Sequence, residues 1–175
     1  MRDKAVSKLF FPKDGGISRL YVLFEYDDEV RSLIEQLKYE KRKEIAHYMI
    51  SFCRFVHSNY DCIVPVPLHP VRYRERGFNQ SLVIARELSR HTGIPVVKSG
   101  IIRKRYTRHQ TGLGKTERKK NLEGAFKVSM PERFQKKKIM LVDDVYTTGA
   151  TLENLSKAFR GYPSVIDGFV LASKV

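Results

Sequence analysis

Two adjacent aspartates and a threonine-rich turn form the part of this sequence best suited to chemistry. Asp143 and Asp144 follow the apolar run Ile139–Val142, and the polar turn after them leads into apolar residues with helical spacing. A short apolar run suits a strand buried on both faces of a parallel sheet, so the predicted order is strand, loop, helix. In open α/β sheets, ligands bind at the carboxyl ends of strands, where this loop would lie.

The turn contains the residue types that hold a phosphate group. Gly149 lets the backbone approach a ligand closely, and hydroxyls and backbone N–H groups at a helix start bind anions. We assign Asp143 and Asp144 as catalytic and metal-binding residues. They could hold sugar hydroxyls, or a magnesium ion through its waters. A strand followed by an ordinary helix cap would need only one acid and one threonine. The predicted phosphate loop consists of Thr147, Thr148, Gly149, Ala150 and Thr151.

A second polar segment, residues 68–80, follows the apolar run Cys62–Pro67. We predict a loop here, because Gly77 and Asn79 permit tight turns. It carries arginines at alternating positions, and arginine recognises phosphate oxygens well. A solvated basic surface would explain the same charges, but the position after a buried strand favours a diphosphate site. The residues assigned to that site are His69, Arg72, Arg74 and Arg76.

Residues 99–124 form the most basic part of the chain and contain few apolar anchors. We predict a long mobile loop, since long loops in compact domains are usually functional or disordered. Tyr106 and His109 are interleaved with the charges and could stack on bases, although one tyrosine in a basic loop is common. The residues assigned to nucleic-acid binding are Arg103, Lys104, Arg105, Arg108, Lys115, Arg118, Lys119 and Lys120.

Composition limits the class of protein. The 175 residues, 42% of them hydrophobic, fit one globular domain. The formal net charge of +14 would attract polyanions such as nucleic acid or an anionic membrane surface; the alternative is a solvated basic surface around a phosphate-rich substrate. Cys53 and Cys62 predict small core residues, with neither a disulfide nor a zinc site. No run is long enough to span a membrane and no signal-peptide pattern is present, so we expect a cytoplasmic protein.

The remaining elements follow from hydrophobic periodicity and helix caps. Residues 1–18 fit an arm or hairpin turn, and Asp27 or Asp28 is expected to cap the first helix. A second helix, with its buried side running from Ile45 to Val56, is expected to bury Tyr48. The other predicted elements are strands at Leu20–Tyr26, Ile94–Lys98, Ala125–Val128 and Val165–Ala172, and a helix at Ser81–Arg90 that stops at Gly93.

These segments together resemble a known family. Ile139–Thr151 resembles the phosphoribosyl-diphosphate (PRPP) signature of type I phosphoribosyltransferases, with Tyr146 where an aliphatic residue is usual. The whole chain is similar to the ComF or GntX type of phosphoribosyltransferase-like competence proteins in VPVPLHPVRYRERGFNQ, QTGLGKTERKKNLEGAF and IMLVDDVYTTGATL, and also in LIEQLKYEKRKEIA. Family members often begin with a four-cysteine zinc module. This sequence lacks those cysteines, so no zinc is expected.

The resemblance implies an α/β, type I phosphoribosyltransferase fold. We expect a central, mainly parallel sheet with helices on both faces, in one domain of residues 1–175 with an N-terminal hood in residues 1–60. It implies that PRPP binds with Mg²⁺, its 5′-phosphate on residues 147–151, and that the protein acts in DNA uptake and natural transformation, where single-stranded DNA is handled in the cytoplasm.

Two functions stay open. The first is a PRPP-binding competence factor that acts on DNA. The second is a phosphoribosyltransferase of nucleotide salvage without a DNA role, in which carboxylates stabilise positive charge at the ribose anomeric carbon. DNA-uptake or recombination proteins, and a second copy of the chain, stay open as partners.

Overall fold

The computed structural model of the chain describes residues 5–10, 16–54, 59–105 and 122–174. Within these ranges the main sheet has the order β1-β2-β7-β6-β3, and all its neighbouring strands are parallel except β1 and β2. A separate antiparallel pair is formed by β4 and β5. The strands are β1 (Ala5–Phe10), β2 (Leu20–Glu25), β3 (Cys62–Pro65), β4 (Ile101–Arg103), β5 (Phe126–Val128), β6 (Lys138–Tyr146) and β7 (Val165–Ser173).

Helices cover both faces of the main sheet. The described helices are α1 (Asp28–Tyr39), α2 (Glu44–Ile50), α3 (Pro70–Arg76), α4 (Gln80–Thr92) and α5 (Ala150–Ala158). One core lies between the sheet and α1, α2 and α4, and a second lies between the opposite face and α5 with the β4–β5 pair. The predicted fold class, α/β with a mainly parallel sheet and helices on both faces, is confirmed.

The central strand β6 explains the unbroken apolar run in the sequence. Met140 and Val142 belong to one core, and Ile139 and Leu141 belong to the other. Because parallel neighbours flank β6 and helices cover both faces, both sets of side chains are apolar. The strand is longer than predicted: pairing with β7 continues to Tyr146, so the two aspartates belong to the strand and do not follow it.

Several local predictions are confirmed. Asp27, rather than Asp28, caps α1: its Oδ1 accepts a hydrogen bond from the Val30 N–H at 2.8 Å. Gly93 ends α4 in the left-handed conformation, with φ of 77°. Cys53 and Cys62 are both buried and unpaired, as expected of core residues. The first strand pairs with β2 as a hairpin, which settles the choice between an arm and a hairpin.

Other local predictions are wrong. Residues 68–80 are not an open loop, because they contain α3, which begins with Pro70 after the His69 cap and ends at Gly77 in the left-handed conformation. Helix α2 ends at Ile50, before the predicted Phe52, and Tyr48 is 47% exposed rather than buried. Phe55 and Val56 lie outside the described residues.

The last differences concern residues 94–124 and the N-terminal region. Residues 94–98 form one isolated bridge, between Val96 and Ile63, because β3 offers only its edge there. The predicted loop 99–124 begins with β4, which pairs with β5. Strands β1 and β2 of the predicted hood region extend the main sheet next to β7. In the part of the chain that the structure describes, no helix is both long and apolar enough to cross a membrane.

Candidate functional site

Asp143 and Asp144 lie near the carboxyl end of β6, where both side chains are buried. Successive side chains of a strand point to opposite faces. Asp143 Oδ1 accepts a hydrogen bond from Ser81 Oγ, at the start of α4, at 2.9 Å. Asp144 Oδ2 forms an ion pair with Lys38 Nζ, in the last turn of α1, at 2.6 Å. The two acids therefore do not form one clamp, because a different helix holds each of them.

The electrostatic balance of this pair favours further positive charge or hydrogen-bond donors. Burial raises the pKa of Asp143 well above its usual range, and the negative charge of Asp144 adds to that effect. Burial acts against the charge of Lys38, but attraction to Asp144 and then to Asp143 outweighs it, so the pKa of Lys38 is raised. Lys38 therefore stays protonated at neutral pH, yet one lysine faces two carboxylates. A hydroxyl donor or a metal ion brought by a ligand would relieve the remaining repulsion.

The turn after β6 is shaped by Gly149. Its φ is 77°, and a Cβ at this position would collide with the Tyr146 hydroxyl and lie 2.7 Å from Glu153 Oε1. Only glycine combines that backbone conformation with so little space. The turn thus brings bare backbone close to whatever occupies the carboxyl end of β6.

The start of α5 offers backbone donors to an anion. The first intrahelical bond runs from the Glu153 N–H to the Gly149 carbonyl at 2.9 Å. The N–H groups of residues 150–152 precede it and have no acceptor within the helix. The Ala150 N–H has a long contact of 3.4 Å with Thr148 Oγ1. The side chains of Thr147 and Thr151 are half-buried, so the predicted phosphate loop lies together at one helix start.

Helix α3 distributes the predicted diphosphate residues over different sides. Arg72 and Arg76 are one helical turn apart, whereas Arg74 points away from them. Arg72 Nη1 pairs with Glu75 Oε2 at 2.8 Å. Burial lowers the pKa of His69, and the charges of Arg103 and Arg74 lower it further, so this imidazole is neutral at neutral pH and lies among cations.

Arg103 belongs to this site by position. It was assigned to nucleic acid, but its guanidinium carbon lies 5.5 Å from the centre of the Phe126 ring, and the side chain is half-buried. Burial lowers the pKa of Arg103, the charge of Asp143 raises it, and the charge of Arg72 lowers it. The charges of Asp143 and Arg72 therefore group Arg103 with the candidate site rather than with its exposed neighbours.

Only part of the predicted nucleic-acid surface can be placed. Lys104 and Arg105 are exposed, and Arg105 Nη1 donates to the Glu123 carbonyl at 3.3 Å. The other assigned residues lie outside the described residues, as do the two proposed stacking residues: Arg108, Lys115, Arg118, Lys119, Lys120, Tyr106 and His109.

A magnesium ion fits this site only together with a ligand. Among the described residues, no group of three or more His, Cys, Asp or Glu side chains could hold a metal ion. Mg²⁺ commonly keeps several waters and takes one or two carboxylates plus the phosphates of a substrate. Asp143 or Asp144 could supply such a carboxylate, and the predicted phosphate loop follows them along the chain.

Sequence reasoning missed Lys38 and Ser81. Lys38 lies in LIEQLKYEKRKEIA, a segment noted for its resemblance to a family, and Ser81 lies in the predicted helix Ser81–Arg90, but no role was given to either residue. Lys38 looks like an ordinary cation in the last turn of a helix, where it suits the helix dipole. Its contact with Asp144 spans more than half of the chain, so no local pattern could indicate it.

Comparison with known proteins gives relatives with names drawn from DNA uptake. Competence protein F of Haemophilus influenzae is 30% identical over 152 residues, which is 81% of this chain and 66% of that protein. DNA utilization protein YhgH of Escherichia coli is 34% identical over 148 residues, 79% of this chain and 64% of the relative. Competence protein ComFC of Bacillus subtilis is 26% identical over 156 residues, which is 85% of this chain and 62% of that protein.

Two further comparisons complete this picture. No family model matches the chain. A solved structure of the allosteric regulatory enzyme of purine biosynthesis shares 18% identity and a TM-score of 0.45, over 74% of this chain and 25% of its own.

The chain spans between 62% and 66% of the length of the three curated relatives named above. The matched region covers about four fifths of this chain in each case. Together with the sheet order and the acid pair at the carboxyl end of β6, this similarity assigns the protein: the chain belongs to the ComF-type family of competence proteins.

Proposed function

We propose that this protein binds PRPP with Mg²⁺ at the carboxyl end of β6, and that it handles incoming single-stranded DNA in the cytoplasm during DNA uptake. The observation that carries the PRPP assignment is the arrangement along β6 and α5. A buried acid pair, a left-handed glycine, and N–H groups without an acceptor inside the helix follow one another in residues 143–152.

The chemistry of PRPP matches these three features. Its ribose hydroxyls can donate to the buried carboxylates, whose mutual repulsion they would reduce. Its 5′-phosphate can accept from the N–H groups and threonine hydroxyls at the start of α5. Its diphosphate needs cations, which Arg72 and Arg103 can supply on the Asp143 side. When bound, Mg²⁺ would neutralise charge on the diphosphate, as it does in other phosphate sites.

The phosphate assignment is tested by replacing Thr147, Thr148 and Thr151 together with valine. Valine keeps the branched shape but removes the hydroxyls, so calorimetry with PRPP and Mg²⁺ should show no binding while thermal unfolding stays cooperative. Thr92 on α4 offers a matched control: Thr92→Val removes a hydroxyl that bonds the Leu88 carbonyl, far along the helix from the site. Unchanged PRPP affinity in the triple variant would end this assignment.

The role in DNA uptake rests on the relatives and on charge. Two relatives are named competence proteins and another is named a DNA utilization protein. The net charge of +14 supplies the sequence-independent attraction that single strands need. A salt titration with a labelled oligonucleotide tests this: the affinity should fall steeply with salt, with a log–log slope of about −0.7 per phosphate contact. No binding at low salt would remove DNA as a direct partner.

The basic stretch is tested with the Lys104→Ala, Arg105→Ala double variant. Both side chains are exposed, whereas Arg103 acts on Asp143 and would confuse the result. If the stretch contacts DNA, the double variant flattens the salt slope and keeps its affinity for PRPP. Slopes parallel to wild type would place the DNA surface elsewhere.

Catalysis is a separate step of the proposal. Transfer of the phosphoribosyl group would develop positive charge at the anomeric carbon, which the two aspartates could stabilise. A screen for diphosphate release in the presence of candidate acceptors decides between a transferase of nucleotide salvage and a PRPP-binding competence factor. Release with a free base, together with no DNA binding, would favour the salvage enzyme.

A further inference from the structure

The end of α1 and the segment that joins α1 to α2 pack against the end of α3. They carry exposed cations and an exposed aromatic ring. Three contacts join the two parts. The Arg76 guanidinium carbon lies 5.3 Å from the centre of the Tyr39 ring. Lys41 Nζ lies beside Gly77, and Lys43 Nζ lies 5.4 Å from the centre of the Phe78 ring.

Two tyrosines on this surface are unusually exposed. Tyr39 is 67% exposed and Tyr73 is 52% exposed, which makes them the most exposed large hydrophobic side chains among the described residues. Tyr73 and Arg76 are three positions apart on α3, so they are neighbours on the helix surface. Arg76 in turn covers the Tyr39 ring. Arg76 therefore links the two rings into one basic and aromatic strip.

The strip carries an excess of positive charge. Its exposed or half-buried cations are Lys41, Lys43 and Arg76. The acids nearby are largely engaged with other cations: Glu75 pairs with Arg72, and Glu44 pairs with Arg42. Glu40 is exposed between Tyr39 and Lys41 and is the one acid of the linking segment. No residue of α3 is buried, so this helix adds little to the core and lies on the surface as a platform.

We propose that Tyr39, Tyr73, Lys41 and Arg76 form a stacking platform for single-stranded DNA. This inference rests on the proposed DNA-handling function and gives it a surface different from residues 103–120. Exposed rings interleaved with cations match what single strands offer, because every base has a flat face and every link carries a phosphate. Duplex DNA keeps its bases stacked inside and cannot use the rings.

The platform adjoins the PRPP site through one turn of α1. Lys38 points inward to Asp144, while the next residue, Tyr39, points outward to Arg76. The charge of Arg76 also acts on Lys38 and lowers its pKa, which is further evidence that the two residues are close. A DNA strand on the platform would therefore lie at the edge of the acid pair.

The experiment measures binding of a labelled oligothymidine by wild type, Tyr39→Ala, Tyr73→Ala and the double variant. Each loss of a stacked base should weaken binding about tenfold, since a base–aromatic stack is worth about 1–3 kcal/mol. The salt slope should stay that of wild type, because no phosphate contact is lost. Tyr39→Phe and Tyr73→Phe should bind as wild type does. Tyr48→Ala, which removes an exposed tyrosine on α2, is the matched control and should have no effect.

A second arm separates the platform from general charge. Lys41→Ala should lower the steepness of the salt slope by about 0.7, whereas Arg160→Ala, at an exposed arginine just beyond the far end of α5, should not. Affinity for PRPP should be unchanged in both tyrosine variants, and thermal unfolding should remain cooperative.

Two outcomes would overturn the proposal. Oligothymidine affinity of the double tyrosine variant equal to wild type would show that the rings do not stack on bases. Equal loss in Tyr48→Ala would show that the effect is not specific to this strip. Failure of wild type to bind any single strand at low salt is a different result, because it removes the DNA function itself.

Discussion

Two buried acidic sites lie at opposite ends of the same sheet, and they differ in how well their charges are satisfied. At the start of β7, Asp167 is fully buried and is held by three groups: the Arg19 backbone N–H at 3.0 Å, the Arg19 guanidinium at 2.7 Å, and the Tyr60 hydroxyl. Near the end of β6, the consecutive residues Asp143 and Asp144 have one ion-paired lysine, Lys38, which contacts Asp144.

The difference explains why one site is structural and the other is a candidate for ligand binding. Asp167 fastens the chain before β2 to β7, since Arg19 leads directly into β2. Its partners complete its hydrogen bonds. Burial raises the pKa of Tyr60, and the hydrogen bonds of this hydroxyl with Asp167 and Tyr21 raise it further. In the acid pair, burial raises the pKa of Asp143 and repulsion from Asp144 raises it further, and groups perturbed in this way are typical of functional sites.

The largest expected effect is on stability at Asp167. Asp167→Asn would leave the Arg19 guanidinium without its carboxylate, which should cost about 3 kcal/mol after allowing for the partly exposed arginine. The midpoint of thermal unfolding should fall by roughly 6–12 °C in a chain of this size. Affinity for PRPP, measured below the transition, should not change. Glu132→Gln, an exposed acid, is the control, and equal stability of Asp167→Asn and this control would contradict the comparison.

The second largest effect, a loss of about 2 kcal/mol in the free energy of unfolding, is expected when Lys38 is replaced. Lys38→Met removes the cation from a mostly buried pair and leaves Asp144 facing Asp143 without compensation. Urea unfolding at neutral pH should show the loss, and Lys38→Arg should restore part of it. Since Lys38 lowers the pKa of Asp143, the methionine variant should also lose stability more steeply between pH 5 and 8. A methionine variant as stable as wild type would mean that the ion pair contributes nothing.

Much of this fold could be predicted from sequence because its strongest signals are local. The run at β6, the Asp27 cap and Gly93 each depend on neighbours within a few residues, and each is confirmed. Helix α3 was missed because its seven residues have no buried face, so it leaves no periodic pattern. Tyr48 was misplaced because it lies off the buried stripe of α2, which consists of Ile45, Ala46, Met49 and Ile50.

The site itself was only half visible in the sequence. The acids and the predicted phosphate loop are contiguous in the chain, so one sequence motif contains both. Lys38 and Ser81 contact Asp144 and Asp143 through the packing of separate elements, and the charge of Asp143 acts on Arg103 from another strand. Arg103 could not be told from its exposed neighbours by charge alone, since only the β4–β5 pairing and the Phe126 ring turn it inward.

A third prediction separates the roles of acids and loop within the candidate site. Asp143→Asn with Asp144→Asn should weaken PRPP with Mg²⁺ by at least about tenfold, since hydrogen bonds to charged groups are worth roughly 1.5–3 kcal/mol. Binding of inorganic phosphate, which needs only the start of α5, should change little. Calorimetry with both ligands checks this, and an equal loss for both would mean that the acids hold the loop rather than the sugar.

The smallest effect is a pH dependence that runs opposite to the usual one for acids. The folded-state pKa of Asp143 is raised, so this residue favours the fold at low pH, and that contribution is lost as pH rises through the raised value. Asp143→Asn removes the charge but can still accept from Ser81 Oγ and the Asp144 N–H. The free energy of unfolding of the variant should therefore equal that of wild type near pH 4 and exceed it by about 1–2 kcal/mol at pH 8, with each pKa unit worth about 1.4 kcal/mol.

Urea unfolding of the ligand-free proteins across this pH range measures the difference, with Glu132→Gln as a control whose difference from wild type should not change with pH. A difference that stays constant with pH would mean that Asp143 is already satisfied like Asp167, and that the contrast between the two ends of the sheet does not hold.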